Sequence, residues 1–491
     1  MRDTPVPETL PLARDLRTDV CIIGGGIAGL SVAYQLTRAG KAVAIVDDGP
    51  LGGGETSRTS AHLSCVLDCR FSDLERLHGA RIALVAESHA RAIDEIEAIV
   101  TRESIACDFR RVDGYLFLAP DDDPNLLIRE HAAALRAGLT DTTFVDRAPL
   151  PFPTRRCLRF PRQAQFHPMR YLAGLATAVQ RAGGLLVRGH ANRISGSPTG
   201  LVELADGHTI VADALVVATN SPVNDRITMH TKQASYRTYV VTARLPPGAL
   251  TPALYWDTAD PYHYVRPHPA PDGNGDILIV GGEDHHVGQA NDGEERLAAL
   301  ERWARERFST LGPVVDRWSG QIVAAIDGIG FIGRNPGDEA NVFIATGDSG
   351  NGLTHGTIAG TLLADLVLGR EHPWAAVYDP ARITPLAAWS FTTEGLHTAA
   401  GYARWLTPAG HATTALAPGC GTVVQRGLRK LAVYRDEHGA LHERSAVCPH
   451  LGGVVVWNDL EKSWDCPCHG SRFDTQGQPL NGPANRGLDP A

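Results

Sequence analysis

Near the N-terminus, apolar positions form short continuous runs on either side of a segment with helical spacing. Residues 18–48 read TDVCIIGGGIAGLSVAYQLTRAGKAVAIVDD, in which an apolar run is followed by three glycines, a helical stretch and a second apolar run. Continuous apolar runs of this length are typical of strands buried on both faces. The pattern therefore predicts a strand, a glycine turn, a helix and a second strand.

Similar patterns continue over most of the chain. Apolar residues at helical spacing predict one long helix over residues 71–103 and another from residue 167 to about residue 184, followed by a strand. An Asp-Gly pair within residues 202–220 predicts a hairpin that leads into a buried strand. Residues 262–284 have the pattern of two strands around a polar Pro/Gly turn, and residues 341–369 that of a strand, a glycine turn and a helix.

The pattern changes at about residue 407. The stretch LTPAGHATTALAPGCG is rich in Pro, Gly, Ala and Thr, and short alternating segments such as KLAVYRD follow it with turns between them. A stretch of this composition is suited to a linker, and the segments after it are suited to a small all-β module. The boundary is expected near residues 408–415.

Composition narrows the class of protein. A chain of 491 residues is too long for one core, and 43% hydrophobic with 21% charged residues is ordinary for a soluble protein. The formal net charge of −9, without a block of Lys or Arg, argues against binding to nucleic acid or to an anionic membrane. The first twenty residues lack the apolar segment of a signal peptide, and no apolar run is long enough to span a bilayer. Nine cysteines, three of them close to histidines, indicate a metal site in a reducing compartment, and we expect a cytoplasmic protein.

The glycines of the first turn have the spacing of a dinucleotide-binding motif. Gly24, Gly26 and Gly29 follow a strand pattern and open a helix pattern. In such a motif they allow a tight turn, close approach of the backbone to a pyrophosphate, and close helix–strand packing. Asp47, at the end of the second strand, is placed to accept hydrogen bonds from ribose hydroxyls. The alternative to a dinucleotide site is a strand–helix turn that binds nothing, but such a turn does not require an acid at the end of the second strand.

Three further segments resemble those of a known group of flavoproteins. They are GGGETSRTSAHLS at 52–64, LVVATN at 215–220 and IATGDSGNGLTHGTIAG at 344–360. Together with the glycine motif they resemble FAD-dependent oxidoreductases of the D-amino-acid oxidase-like superfamily, of the glycine/D-amino-acid oxidase or glutamylputrescine oxidoreductase type. The resemblance implies an FAD cofactor and a small amine or amino acid as substrate.

The resemblance also implies a fold. The expected class is α/β (α+β), with an FAD-binding Rossmann-like domain, an interleaved β-rich substrate domain and a small all-β C-terminal domain. The expected ranges are an oxidoreductase over 1–390, a linker over 391–412 and the C-terminal domain over 413–491. Within the oxidoreductase, FAD binding is expected at about 18–105, 160–235 and 310–380, and the substrate domain at about 106–160 and 236–310.

By position, the resemblance assigns a set of residues to the FAD site. The first turn would hold the pyrophosphate, the acid the adenosine ribose, the 52–64 loop the phosphate and flavin edges, and the last glycine turn the ring end. Asn220 stands where glycine is usual, and Asn tolerates left-handed backbone angles better than most residues. The full set is Gly24, Gly26, Ile27, Ala28, Gly29, Asp47, Asp48, Glu55, Thr56, Arg58, Thr59, Ser60, Ala218, Thr219, Asn220, Gly347, Gly350, Asn351, Gly352, Leu353 and Thr354.

A second dinucleotide motif is missing. LIVGGEDHH at 278–286 has two glycines without a third and without a following helix and acid. The hydride donor is therefore expected to be a small organic molecule and not a nicotinamide, and in the resembled superfamily that means a C–N bond.

Soft metal ligands cluster near the C-terminus. Cys448 and His450 form one short loop, and Cys466 and His469 form another. A Cys₂His₂ zinc site is one possibility, but zinc fingers place both cysteines in one loop and both histidines in the other. One Cys and one His from each loop is what a Rieske 2Fe–2S centre requires, with two thiolates on one iron and two imidazoles on the other.

The flanks of these loops resemble Rieske domains. CPHLG, CPCHGSRFD and LNGPA all match, the last as the proline loop that shields the cluster, over about residues 415–491. The resemblance assigns Cys448, Cys466, His450 and His469 as ligands. In respiratory Rieske proteins a Cys at the position of Cys468 pairs with a second Cys, whose position here is Gly453. We therefore expect no bridge and a buried thiol at Cys468.

The sequence supports candidate catalytic residues less strongly than it supports the cofactor sites. His62 lies in the loop expected to reach the flavin, and Tyr264 and Arg266 lie on a strand of the expected substrate region, where an Arg could pair with a substrate carboxylate. A packing histidine and a solvated strand face are the plain alternatives.

The combined expectation is an amine or amino-acid dehydrogenase. FAD would oxidise a C–N bond, and the cluster would pass electrons singly to an external electron-transfer partner. Two alternatives stay open. In one, an external reductase feeds the cluster and FAD carries out a reduction or monooxygenation. In the other, the Rieske module is a sensor or docking unit without a role in turnover.

Overall fold

The computed structural model describes residues 4–224, 228–407 and 416–491, without the side chains of residues 388–391 and 393. The elements up to residue 217 are β1 (Leu16–Ile23), α1 (Ile27–Arg38), β2 (Val43–Asp47), β3 (His62–Leu63), α2 (Phe71–His78), α3 (Ile82–Arg102), β4 (Arg110–Phe117), α4 (Asn125–Arg136), β5 (Thr143–Val145), β6 (Cys157–Gln165), α5 (Pro168–Arg181), β7 (Leu185–Arg188), β8 (Ala191–Ser195), β9 (Gly200–Leu204) and β10 (Thr209–Val217). They are followed by β11 (Gln233–Leu245), β12 (Ala253–Asp257), β13 (His263–Pro269), β14 (Asp276–His286), α6 (Gly293–Arg307), β15 (Val314–Ala325), β16 (Phe331–Arg334), β17 (Val342–Thr346), α7 (Gly352–Val367), α8 (Ala375–Tyr378) and α9 (Ala388–Ala403). The C-terminal strands are β18 (Cys420–Arg426), β19 (Arg429–Arg435), β20 (Leu441–Ser445), β21 (Val456–Asn458), β22 (Ser463–Asp465), β23 (Arg472–Phe473) and β24 (Pro479–Asn481).

A mostly parallel sheet carries the glycine motif. Its strand order is β16-β17-β10-β1-β2-β7, and the β8–β9 hairpin extends it from β10. The apolar run Val20–Ile23 at the centre of the sheet is buried, because helices cover one face and the packed hairpin and loops the other. Helix α1 returns across the sheet from β1 to β2 and packs against α5 and α7. The strand, turn, helix and strand predicted for residues 18–48 are confirmed.

The long helix predicted over residues 71–103 is in fact two helices. Helix α2 ends at His78, and Gly79 adopts φ +60, a left-handed angle that ends a helix readily when the residue is glycine. A short turn then leads into α3. Helical spacing on both sides of Gly79 conceals this break in the sequence.

A second, larger sheet lies beside the first. Its order is β15-β11-β14-β13-β12-β4-β6-β3, with β5 paired to β6. It gathers strands from both ranges expected for the substrate domain. Strand β15 also belongs here, although the expected FAD-binding range began at residue 310, because β15 pairs along β11 from Gln233–Ala325 to Ala243–Val314.

The C-terminal module has two small antiparallel sheets, β18-β19-β20 and β21-β22-β23-β24. Its core contains the buried rings of Trp464 and Phe473 beside the cysteines of the two short loops. The range expected as a linker, 391–412, begins inside helix α9, and its residues 408–412 lie outside the described residues. No described helix combines the length and the apolar character that a bilayer crossing requires.

A buried ionic network joins the C-terminal module to the rest of the chain. Glu461, between β21 and β22, lies 2.9 Å from the Arg58 guanidinium, 3.2 Å from that of Arg237 and 3.4 Å from that of Arg472. Arg472 also pairs with Asp465 at 3.2 Å, and Glu461 is 12% exposed, Arg237 only 1%. Burial alone would raise the pKa of Glu461, but the three arginines outweigh it and lower the pKa to about 2. We call Arg58, Arg237, Glu461, Asp465 and Arg472 the interface network.

Replacing Glu461 by Gln should destabilise the protein by about 3 kcal/mol, because Arg237 is then left buried without its counter-charge. Chemical denaturation at pH 7 would measure this loss. The matched control is Glu443→Gln, which removes an exposed ion pair with Arg426 inside the module and should cost less than about 1 kcal/mol.

The same pair of variants tests the pH dependence. The folded-state pKa of Glu461 is depressed, so its contribution is fully present above its unfolded value and is lost as pH falls from there towards about 2. The stability difference between wild type and Glu461→Gln should therefore shrink in acid. Equal stability of the two proteins at pH 7 would contradict the role given to Glu461.

Candidate active site and metal centre

The first turn can be built only from glycine. Gly24 has φ +108, and a Cβ there would overlap the carbonyl oxygen of Ala218, the residue after β10. A Cβ at Gly29 would overlap the carbonyl oxygen of Gly24. Helix α1 then begins at Ile27, whose N–H donates to the Thr56 hydroxyl at 3.2 Å, while the N-cap residue Gly26 supplies no side-chain bond. Unpaired N–H groups at a helix N-terminus are suited to binding phosphate.

A cavity of about 820 Å³ opens from this turn between the two sheets. It follows the carboxyl ends of β1, β2, β10 and β17, where open α/β sheets bind their ligands. Most of the residues predicted for the FAD site line it: Gly24, Gly26, Ile27, Ala28, Asp47, Asp48, Glu55, Thr56, Arg58, Thr59, Ser60, Ala218, Thr219, Asn220, Gly350, Asn351, Gly352 and Leu353.

Asp47 is held rigidly at the end of β2. Its carboxylate accepts hydrogen bonds from the backbone N–H of Gly25 at 2.6 Å and of Gly49 at 2.8 Å. Burial raises its pKa, which these bonds partly offset. Each oxygen keeps a second lone pair for a ribose hydroxyl. Asn220, at the end of β10, adopts φ +65, the left-handed angle that glycine usually supplies at this turn.

Three residues predicted for the FAD site are absent from the cavity wall. Gly29 serves the packing of the turn, and Gly347 adopts φ +72 between β17 and α7. The hydroxyl of Thr354 lies 2.8 Å from Nδ1 of His89, inside the helical layer. These residues shape the two glycine turns without facing the cavity.

Arg266, predicted as a partner for a substrate carboxylate, is also absent from the wall. Its side chain is fully buried and donates from Nε to the carbonyl oxygen of Ser60 at 2.6 Å. Burial lowers its pKa to about 9. Arg266 therefore holds the 52–64 loop in place from outside the cavity wall.

His62 and Tyr264 do meet at the cavity. Their ring centroids are 5.2 Å apart in an edge-to-face arrangement. Nδ1 of His62 lies 3.0 Å from the Ser60 hydroxyl, and the Tyr264 hydroxyl lies 3.3 Å from that of Thr238. Burial, with Arg266 nearby, lowers the pKa of His62 to about 3, so this imidazole is neutral at physiological pH.

Sequence reasoning missed an acidic pocket at the far end of the cavity. The Asp68 carboxylate accepts a hydrogen bond from the Tyr262 hydroxyl at 3.0 Å. It lies against Gly350, where any side chain would overlap it, in the turn expected to hold the flavin ring. The Asp68 side chain is exposed to the cavity, and loss of water on its protein-facing sides raises its pKa to about 7. Burial also raises the pKa of Asp348 to about 7 and that of Asp284 to about 6.

The cavity as a whole is acidic. Among the described residues that line it, carboxylates outnumber guanidinium groups nine to two. One guanidinium belongs to Arg58 of the interface network, and the other, Arg70, donates to the carbonyl oxygen of Thr258 at 3.3 Å. The nine carboxylates are Asp47, Asp48, Glu55, Asp68, Asp73, Glu130, Asp257, Asp260 and Asp348.

The C-terminal module brings the predicted cluster ligands together in two pairs. Cys448 follows β20 and Cys466 follows β22, and interaction between their thiols is the largest cause of the raised pKa of Cys448. The His450 and His469 rings lie 5.0 Å apart at 86°. Among the described residues, no three His, Cys, Asp or Glu side chains are grouped so as to share one metal ion. Two thiols and two imidazoles in separate pairs match the ligand set of a Rieske centre.

Cys468 lies beside the cluster loops. A Cβ built on Gly453 would be 2.6 Å from its sulfur, so these two positions face each other as the pattern of respiratory Rieske proteins implies. Because residue 453 is glycine, the two loops are connected here by packing and not by a covalent bridge.

The two predicted histidine ligands face the FAD-binding part of the chain. The ring of His230, which is 4% exposed, lies 4.7 Å from that of His450 and 6.0 Å from that of His469, centroid to centroid. The Ser235 hydroxyl donates to the carbonyl oxygen of His469 at 3.2 Å. The histidine side of the module is therefore covered by the oxidoreductase.

Comparison with known proteins also divides the chain into an oxidoreductase and a C-terminal Rieske module. The family model of FAD dependent oxidoreductases (DAO) matches residues 19–366, and that of the Rieske [2Fe-2S] domain matches residues 409–490. The chain is 31% identical to YhfW of Bacillus subtilis (strain 168), whose name describes a Rieske 2Fe-2S iron-sulfur protein, over 99% of this chain and 95% of that one. It is 25% identical to gamma-glutamylputrescine oxidoreductase of Escherichia coli (strain K12), over 73% and 85% of the two chains.

Solved structures share the fold of the oxidoreductase, which precedes the Rieske module. Glycine oxidase from Geobacillus kaustophilus aligns with a TM-score of 0.63 at 21% identity, over 75% of this chain and 99% of that one. L-amino acid deaminase from Proteus vulgaris aligns with a TM-score of 0.62 at 15% identity, over 77% and 100%. The glycine cradle at the start of α1 fits FAD, and the paired thiols and imidazoles fit a 2Fe–2S cluster.

Replacing Cys466 by Ser should abolish the cluster, because one iron loses half of its thiolate ligands. Iron analysis and the EPR spectrum of the reduced protein would measure this, and the FAD content should stay unchanged. Cys468→Ser is the matched control two residues away and should keep the cluster. Retention of the cluster by Cys466→Ser, or its loss from Cys468→Ser, would reverse the ligand assignment.

Proposed function

Because this chain belongs to the FAD dependent oxidoreductase (DAO) family and ends in a Rieske [2Fe-2S] domain, we propose that it oxidises the C–N bond of a small cationic amine and passes the electrons singly through its cluster to an external acceptor. When bound, FAD supplies a two-electron acceptor for the C–N bond, and the Rieske cluster supplies a one-electron carrier. The oxidised amine would be an imine, which water hydrolyses. The chain itself has to bind the substrate, orient it and manage its proton.

The acidic pocket is the observation that carries the choice of a cationic amine. An amino-acid substrate brings a carboxylate, for which a free guanidinium is the usual partner. Arg266 is bonded to the Ser60 carbonyl, and Arg58 is paired with Glu461. An ammonium group, in contrast, meets Asp68 at the end of the cavity beside Gly350.

Asp68 is also suited to handle the proton of the amine. C–N oxidation needs the neutral amine, so an ammonium substrate must release a proton once it is bound. A carboxylate with a pKa near 7 can accept that proton at physiological pH. The Tyr262 hydroxyl fixes one of its oxygens, and the neutral His62 and the Tyr264 ring form the adjoining wall. Holding the substrate in one orientation is expected to contribute much of the rate.

The position of the Rieske module supports transfer of electrons inside the molecule. His230 packs against both predicted histidine ligands, and the interface network fixes the module on the oxidoreductase. A module that served only as a sensor would not require its histidine ligands to face the FAD-binding part of the chain. Transfer in the opposite direction uses the same contacts, so the experiment below has to separate the two directions.

Anaerobic mixing with a panel of primary and secondary amines tests the direction. We expect loss of flavin absorbance, followed by appearance of the EPR signal of the reduced cluster. In the cluster-free Cys466→Ser variant the flavin should still be reduced, but turnover with cytochrome c as acceptor should fall to background. Reduced flavin beside a cluster that stays oxidised would exclude the relay, and full turnover by Cys466→Ser would favour the sensor role.

Replacing Asp68 by Asn should weaken binding of 1,4-diaminobutane about tenfold or more, because a charge-assisted hydrogen bond is lost. Titration of the oxidised enzyme under anaerobic conditions, followed by the perturbation of flavin absorbance, would measure this. Asp73→Asn is the matched control, since Asp73 also lines the cavity but its carboxylate lies 3.9 Å from the guanidinium of Arg76, and binding should change by less than about twofold.

Binding of 1,4-diaminobutane to the wild type should strengthen as pH rises through about 7. Desolvation raises the pKa of Asp68 to that value, so its anion becomes the major form only above it. Cys69, Tyr262, Tyr264, Asp284 and Asp348 are the other titratable groups around Asp68. Because the pKa of Asp348 is also raised to about 7, the Asp68→Asn variant should show a weaker dependence, not a complete loss of it. Tighter binding of benzoate than of the diamine by the wild type would contradict a cationic substrate.

A further inference from the structure

One loop of the Rieske module reaches into the wall of the FAD cavity. Residues 479–485, which we call the closing loop, comprise strand β24 and the proline segment after it. Six of its residues line the cavity: Pro479, Leu480, Asn481, Gly482, Ala484 and Asn485. The sequence resemblance gave this loop another task, the shielding of the cluster. The structure places it between the two cofactor sites.

A side-chain bridge fixes the centre of the closing loop to the oxidoreductase. The amide of Asn481 donates to Oε1 of Glu55 at 2.7 Å and to Oε1 of Gln321 at 3.2 Å. Glu55 in turn accepts from the backbone N–H of Gln321 through Oε2 at 2.7 Å. Glu55 belongs to the 52–64 loop, which lines the cavity beside the glycine cradle. Asn481 therefore closes the cavity beside the segment expected to run along FAD.

A second bridge lies at the end of the cavity near β2. His190 contacts Asp48 through Nδ1 at 2.9 Å and the carbonyl oxygen of Asn485 through Nε2 at 2.8 Å. The Asn485 amide donates to the carbonyl oxygen of Ala191 at 2.7 Å. Asp48 follows the acid that ends β2, so this bridge lies at the adenosine end of a dinucleotide bound in the usual direction.

The opposite face of the closing loop is bonded to the cluster loops. The backbone N–H of Ala484 donates to the Ser471 hydroxyl at 3.0 Å, two residues after His469. Gln321, which holds Asn481 on one side, donates from Nε2 to the carbonyl oxygen of Gly470 at 2.9 Å. A single layer of protein therefore separates the FAD cavity from the loop that carries a cluster ligand.

We infer that the closing loop is part of the FAD site, so that the Rieske module helps to hold FAD in the oxidoreductase. Bound FAD and the docked module then stabilise each other, since coupling between two binding events is reciprocal. This role needs only bound FAD and a docked module. It is independent of the substrate and of the direction of electron flow.

The test compares FAD retention by the full-length holoenzyme and by the double variant Asn481→Ala, Asn485→Ala. Release of FAD on dilution is followed by the rise of flavin fluorescence. We expect the dissociation constant of FAD to increase about tenfold, because the loop loses its polar attachment along the cavity. Gln478→Ala, an exposed position three residues before Asn481, is the matched control and should leave FAD affinity unchanged.

The cluster supplies the second readout. Iron content and the EPR spectrum of the double variant should equal those of the wild type, which separates weaker FAD binding from a collapsed module. Excess FAD should raise the temperature at which the visible circular dichroism of the wild-type cluster is lost, and raise it less in the variant. FAD affinity within about twofold of the wild type, with the cluster intact, would overturn the inference. If the double variant loses its cluster, the single variant Asn485→Ala replaces it in the test, because this change removes only bonds to backbone oxygens. Its FAD affinity is compared with that of the wild type in the same way.

Discussion

The buried charges around Glu461 are the interaction on which the arrangement of the two modules depends. A carboxylate that is 12% exposed meets three guanidinium groups, one of them from within its own module and two from the oxidoreductase. Desolvated charges are stable only when their partners stay in place, so the network tolerates little displacement of one module against the other. A Rieske module that swung away would separate Arg237 from Glu461.

The fixed docking explains several features that look unrelated along the chain. Gly470 has no room for a Cβ because the Ser235 and Gln321 side chains occupy that space, and Gly288 lies against Pro467 in the same way. The imidazoles of the cluster loops contact His230 and do not stand free. The closing loop completes the cavity. Each of these contacts needs the same relative position of the modules.

The charge of the cavity comes from a balance between burial and pairing. Buried arginines are bonded to backbone or to carboxylates, as Arg266 is to Ser60 and Arg58 to Glu461, so they neutralise little inside the cavity. Asp68 accepts a hydrogen bond from the Tyr262 hydroxyl, and loss of water on its protein-facing sides holds its pKa near 7. A pocket of this kind favours a positively charged guest, which compensates the carboxylate as it forms.

The sequence by itself determined what depends on neighbours along the chain. The turn at Gly24 with the acid Asp47, and the two loops around Cys448 and Cys466, carry their chemistry in short spacings. In the structure Asp47 is bonded to the glycine turn, and the histidines of the two loops lie side by side. Only the tertiary structure decided the rest. Tyr262 reaches Asp68 across 194 residues, and Glu461 reaches Arg58 across 403. A single aspartate or glutamate has no local pattern, because its partner is chosen by sheet register and domain packing; for the same reason Arg266, which looked free in its strand, turned out to be bonded to Ser60.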